Sequence, residues 1–165
     1  MRPSSGHEEP SAYLNLGAAL TNSGHFVEAA QRYLEAKERH QVGSKGWALA
    51  MAGAFDLLKL KACAEVVKPD WWNDEGLMAL SARVVRAAPN DKPANTMRAL
   101  VLCGDCSAWE VGLRSSAELM RAATHYERAA ALCNALAEKA EYTRAADRCR
   151  LMCMTIMMAM CRTAV

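Results

Sequence analysis

The sequence is poor in the features that would announce a sheet, a membrane span or a secreted scaffold. Aromatics make up only 6% of its 165 residues. Alternating apolar–polar runs and tight hairpin signals are nearly absent, which argues against a β domain. Proline occurs five times beside 52% hydrophobic content, which excludes a globally disordered chain. No charge sign dominates, since 20 basic residues stand against 18 acidic ones. Lys and Arg are interleaved with Asp and Glu, without the concentrated basic face of a nucleic-acid binder, and no nucleic-acid partner is expected. The local group Arg144, Arg148 and Arg150 reads as a solvated helix face. Residues 1–13 hold no apolar stretch resembling a signal peptide. The longest apolar run, Leu151 to Cys161, falls short of the roughly 18–20 residues a transmembrane helix needs, so no membrane span is expected. The seven cysteines are an odd number without the spacing of a disulfide framework, which fits reduced thiols in a cytoplasmic protein.

What is abundant is Ala, Met and Leu, residues that lose little freedom in a helix. The expected fold is all-α, with one domain over 10–162, a flexible lead-in over 1–9 and a short tail at 163–165. Ser11 can cap the first helix, on which Tyr13, Leu16, Gly17 and Leu20 share one side. Thr21-Asn22-Ser23-Gly24 is a stop signal, Gly24 supplying a left-handed terminus. A second helix carries Phe26, Ala29, Ala30, Tyr33 and Ala36 to about His40. Trp47 to Leu60 reads as one or two more helices. Asp70 or Asn73 can cap the next, to about Ala88, and another spans Ala94 to Leu102. Gly104 to Arg114 is loop-like. Ser115 or Ser116 opens a long helix to about Leu136, and the last helix covers roughly Glu138 to Met160.

The segment AYLNLGAALTNSGHFVEAAQRYLEA resembles a tetratricopeptide repeat. Tyr13 stands at the usual Trp position, Leu16-Gly17 follows, Leu20 takes the usual Tyr position, and Ala29, Tyr33 and Ala36 complete the second helix. Gly17 and Ala29 are small enough for close helix contact, with Tyr33 filling the space beside them. Glu28 to Ala36 is echoed by Arg121 to Ala129, aligning Ala29, Tyr33 and Ala36 with Ala122, Tyr126 and Ala129. The offset of 93 residues is not a multiple of the roughly 34-residue repeat, so the middle units must be irregular. The Ala spacing is also similar to that of the soluble attachment proteins of vesicle fusion. These resemblances imply a right-handed superhelix of antiparallel helix pairs with about seven helices.

The tetratricopeptide resemblance further implies a protein-binding adaptor or scaffold. Its partner, a peptide or helix, would lie on the face lined by the first helix of each repeat. By position that face includes Leu14, Ala18, Thr21 and Asn22. Chaperone-binding members hold a terminal carboxylate with Lys and Asn where this chain has Leu14 and Ala18, so that clamp is absent from the first repeat. Trp71 and Trp72, adjacent on the chain, either close a junction between repeats or offer an exposed binding anchor.

Chemistry-bearing residues are sparse. Cys103-Gly-Asp-Cys106, with Cys149 and Cys153, has the spacing of a zinc site, and a structural-metal or thiol-redox protein is the alternative function. Against it stands the reading of these cysteines, with Cys63 and Cys133, as small polarizable packing residues. His7, His25, His40 and His125 show no metal spacing. The pairs Glu8-Glu9 and Asp74-Glu75 fall in the lead-in and a helix first turn, so neither an active site nor a cofactor or metal is expected. Thr163-Ala164-Val165 has the short terminal form that PDZ domains capture. The run LMCMTIMMAMC from Leu151 is apolar on every side and must be covered by something. It is expected as a docking surface for self-association or a partner, unless it folds back into the stack. Its lack of a polar closing face also fits a segment of a longer solenoid.

Overall fold

The computed structural model describes residues 9–163. Among them are seven α-helices and no strand: α1 Pro10–Asn22, α2 Phe26–Arg39, α3 Lys45–Leu58, α4 Asp74–Ala87, α5 Lys92–Cys103, α6 Ser116–Ala131 and α7 Leu136–Thr163. A 3₁₀ turn, Lys61–Cys63, follows α3. The lead-in before Glu9, including His7 and Glu8, and the last two tail residues lie outside the described residues. Thr163 ends α7, so it belongs to the helix and not to a separate tail.

The boundaries follow from capping chemistry. Pro10 occupies the first turn of α1, where its missing N–H costs nothing. Ser11 is therefore inside the helix and not its cap; its hydroxyl instead meets Glu9 at 3.3 Å. Gly24, at φ 79°, ends α1 in the left-handed conformation. Ser44 caps α3 through Trp47 N–H, Asn73 caps α4 through Gly76 N–H, and Asp91 caps α5 through Ala94 N–H. The stretch from Trp47 to Leu60 holds a single helix, which begins earlier, at Lys45, and ends at Leu58. Lys68 Nζ donates to the Leu58 and Cys63 carbonyls, 2.8 Å each, satisfying acceptors the helix end leaves open. Ser115 and Glu118 form a reciprocal capping box at α6. That helix stops at Ala131, short of Leu136, where Leu132 N–H turns back onto the Arg128 and Ala129 carbonyls.

Packing is chiefly between helices adjacent in sequence, with α1 also reaching α3 and α3 reaching α5. Short links such as Ser23–His25 make such neighbours antiparallel. Three apolar clusters succeed one another. The first joins Ala29, Ala30, Ala54, Leu57, Leu58 and Cys63, with Tyr33 against it. The second gathers Trp47, Met51, Phe55, Leu77, Met97 and Trp109 from α3, α4, α5 and the loop after α5. The third holds Leu102, Leu119, Ala122, Tyr126, Ala146 and Cys149 from α5, α6 and α7.

The residues of the repeat signature divide in this frame. Gly17, Ala29, Ala36, Ala122 and Ala129 are buried, as is Tyr126, while Tyr13, Leu20 and Tyr33 are half-buried. Leu16 departs from expectation. It is 46% exposed, because α1 packs chiefly on α2 and α3 and no helix among the described residues covers its outer side.

Candidate functional site

The odd-numbered helices line one face. A first, largely apolar depression of about 270 Å³ is bounded by Leu14, Ala18 and Thr21 of α1 and by Tyr33 of α2. Leu49, Gly53, Asp56 and Leu57 of α3, with Pro93 of α5, complete it. A second, of about 700 Å³, is bounded by Thr21, Asn22, Asp56, Lys59, Lys92, Pro93, Thr96 and Leu100. Tyr126 of α6 and Glu138, Glu141, Tyr142, Ala145 and Arg148 of α7 close its other side. Thr21, Asp56 and Pro93 border both, so the two depressions form one groove across α1, α3, α5 and α7.

The groove's apolar end exists because small residues let a ring in. A Cβ on Gly17 would stand 3.1 Å from the Tyr33 ring, and one on Gly53 only 2.7 Å from it. Tyr33 thus lies between α1 and α3, and burial raises its phenol pKa. Thr21 Oγ1 donates to the Gly17 carbonyl at 2.8 Å. The other end is polar and internally balanced. Lys92 pairs with Glu138 at 2.6 Å, Lys59 pairs with Asp56, and Arg148 reaches Asp105 at 3.4 Å. The Thr96 and Tyr142 hydroxyls lie 3.1 Å apart, tying α5 to α7. Lys59, Lys92 and Arg148 offset Asp56, Glu138 and Glu141 along it, so the groove presents hydrogen-bonding groups and little net charge.

Leu14, Ala18, Thr21 and Asn22 thus lie together on this groove. Trp71 and Trp72 do not. Both are half-buried against the second cluster, Trp72 beside Phe55, and Trp72 Nε1 donates to the Ala108 carbonyl at 3.0 Å. Trp72 also meets Trp109 edge to face, with ring centroids 6.0 Å apart. Trp72 thereby locks the loop after α5 onto the stack, with Trp71 packed against it at a ring-centroid distance of 5.7 Å. Asp74 completes that clamp, accepting from Trp109 Nε1, Gly112 N–H and both terminal nitrogens of Arg114. The Arg114 hydrogen bonds, helped by those from Gly112 and Trp109, hold the Asp74 carboxyl down to about 2. Sequence reasoning missed the α3, α5 and α7 contributions to the groove. Gly53 had a signal, since it follows Gly17 by about one repeat length of roughly 34 residues.

Among the described residues, no group of three His, Cys, Asp or Glu side chains is placed to hold a metal. Cys103 and Cys149 do meet, both buried, in the third cluster. The hydrogen bond with Cys149, aided by Asp105 N–H and Tyr126 OH, lowers the Cys103 thiol below the ordinary cysteine value despite burial. Cys103 is only 4% exposed. His125 is half-buried, its Nδ1 3.0 Å from Asn95 Oδ1. Asn95 uses its amide on the Pro89 and Asp91 carbonyls, so the histidine nitrogen must be the donor. Burial, with Arg128, Arg98 and Arg121 nearby, brings His125 down to about 4. No helix among the described residues is long and apolar enough to cross a membrane. Comparison with protein-family models, characterised proteins and solved structures finds no match to this chain.

Proposed function

We propose that this chain is a protein-interaction module, an adaptor or assembly scaffold of the tetratricopeptide kind. Its helix pairs wind as a right-handed superhelix and hold a partner peptide or helix along the α1–α3–α5–α7 groove. The observation that carries this reading is the joined pair of depressions, to which all four odd-numbered helices contribute. An apolar anchor side chain fits the first depression over Tyr33 and Gly53. The hydroxyls and paired charges of the second meet the partner's backbone.

Selection of binders from a random peptide library tests this. Ala18→Trp fills the first depression from an exposed position and should weaken selected peptides about tenfold, some 1.4 kcal/mol, with melting unchanged. Thr21→Arg with Asn22→Glu should do the same at the junction. Peptides whose affinity ignores all three substitutions would place the binding surface elsewhere.

A thiol-redox function draws on one observation, the lowered Cys103 thiol beside Cys149. Alkylation of native protein at neutral pH separates the readings. With burial in control, exposed Cys161 and half-exposed Cys106 react first and buried Cys103 only after them. Labelling of Cys103 ahead of both would favour the redox function.

A further inference from the structure

From Leu151 onward α7 has two apolar faces, and the described residues cover only one of them, as far as Ile156; Met160, the next residue on that side, is 65% exposed. Cys149, Cys153 and Ile156 turn inward to the third cluster. With 3.6 residues per turn, Leu151, Met154 and Met158 fall on the opposite side. One and two turns earlier that outer face carries Asp147 and Arg144, an ordinary solvated stripe. At Leu151 it becomes apolar, and it stays open to solvent: Leu151 is 62% exposed, Met154 56% and Met158 54%, with Met152 and Met157 flanking at 45% and 56%.

We propose that this face is the contact surface for a second copy of the same chain, two α7 ends packing against each other about a two-fold axis. Three features select that occupant. Leu151, Met154, Met158 and Cys161 follow alternating steps of three and four residues, the seam spacing by which two helices pair. No charged residue stands between Leu151 and Cys161, so the stripe meets its own image without like charges opposed, as an isologous contact requires. The five exposed side chains, at roughly 100 Å² each, offer about 500 Å² per copy. Two copies then bury up to about 1,000 Å², the floor for a specific interface. A lipid-binding helix would instead flank its apolar face with Lys and Arg on a free polar face, and here the other face is occupied by the third cluster. The groove residues of α7, Glu138 to Arg148, lie toward its other end, so dimer formation leaves the groove open.

Sedimentation velocity of the full chain from about 1 to 200 µM tests this, a range that covers the weak, transient association expected of an interface near the lower size limit. The sedimentation coefficient should rise from monomer to dimer across that range. Met154→Glu with Met158→Glu should remain monomeric throughout, with unchanged circular dichroism and melting, since both positions are exposed. Leu151→Gln, at the edge of the seam, should weaken association about tenfold. A wild-type chain monomeric at every concentration would overturn the proposal, as would association unaltered in the substituted chains. A monomer that instead binds phosphatidylcholine vesicles would assign the face to lipid and also overturn it.

Discussion

Tyr33 occupies the space that two glycines leave, and the balance at each glycine differs. Replacing a helical glycine by alanine ordinarily gains about 1 kcal/mol of helix propensity. At Gly53 the new Cβ would stand 2.7 Å from the ring. Overpacking costs about 1–3 kcal/mol and should prevail, so thermal melting of Gly53→Ala should fall below that of the wild type. At Gly17 the approach is 3.1 Å, the ring need yield only slightly, and Gly17→Ala should melt near the wild type. Gly17→Leu should be destabilised by about 1–3 kcal/mol or more. Gly17 was legible because the Leu-Gly signature marks a close helix contact. Leu16, from the same signature, was misread because the motif encodes spacing and not how many neighbours a terminal helix has. His125 and Asp74 govern the acid side. In the folded chain His125 titrates near 4 against an ordinary 6.5, so the unfolded state takes up the proton first and stability declines as pH falls through that window. Asp74, near 2 against 3.8, adds a further loss below it. The melting temperature should therefore drop between pH 7 and 4, and His125→Gln should flatten that limb while leaving the later one.

Among whole elements, the capping residues decide the boundaries, and the two serines near helix starts make a controlled pair. Ser115 accepts from Glu118 N–H and completes a reciprocal box, so Ser115→Ala should cost about 1 kcal/mol. Ser11 sits inside α1 and caps nothing, so Ser11→Ala should change stability by less than about 0.5 kcal/mol in denaturant titration. Equal losses would mean that α1 begins later than Pro10. The starts of α4 and α6 were readable because side-chain caps are local chemistry. The clamped loop after α5 was not. Its anchors, Asp74 with Arg114 and Trp72 with Ala108, join residues some forty positions apart, and no pattern within a window of one helix contains them.

Across the whole molecule, the two connections that are not short explain the irregular offset between the α2 and α6 echoes. Lys59–Asn73 and Gly104–Ser115 each interrupt the stack with residues beyond a tight turn. Under the same offset Gly53, which faces Tyr33, corresponds to Ala146, which shares the third cluster with Tyr126. The helix order and count were therefore legible, whereas only the α1 side of the groove was, since the rest depends on how irregular units align. The distribution of aromatics gives the stack a spectroscopic consequence. All four tryptophans, Trp47, Trp71, Trp72 and Trp109, pack in or against the second cluster, while Tyr33 lies in the unit before it and Tyr126 and Tyr142 in the unit after. Indole fluorescence is thus a local gauge of the centre, and circular dichroism an average over every helix. In a nearest-neighbour stack the ends can melt independently of the middle. Ellipticity should start to fall at lower urea than the tryptophan emission shifts. Superimposed transitions would show one cooperative unit in place of separable ones.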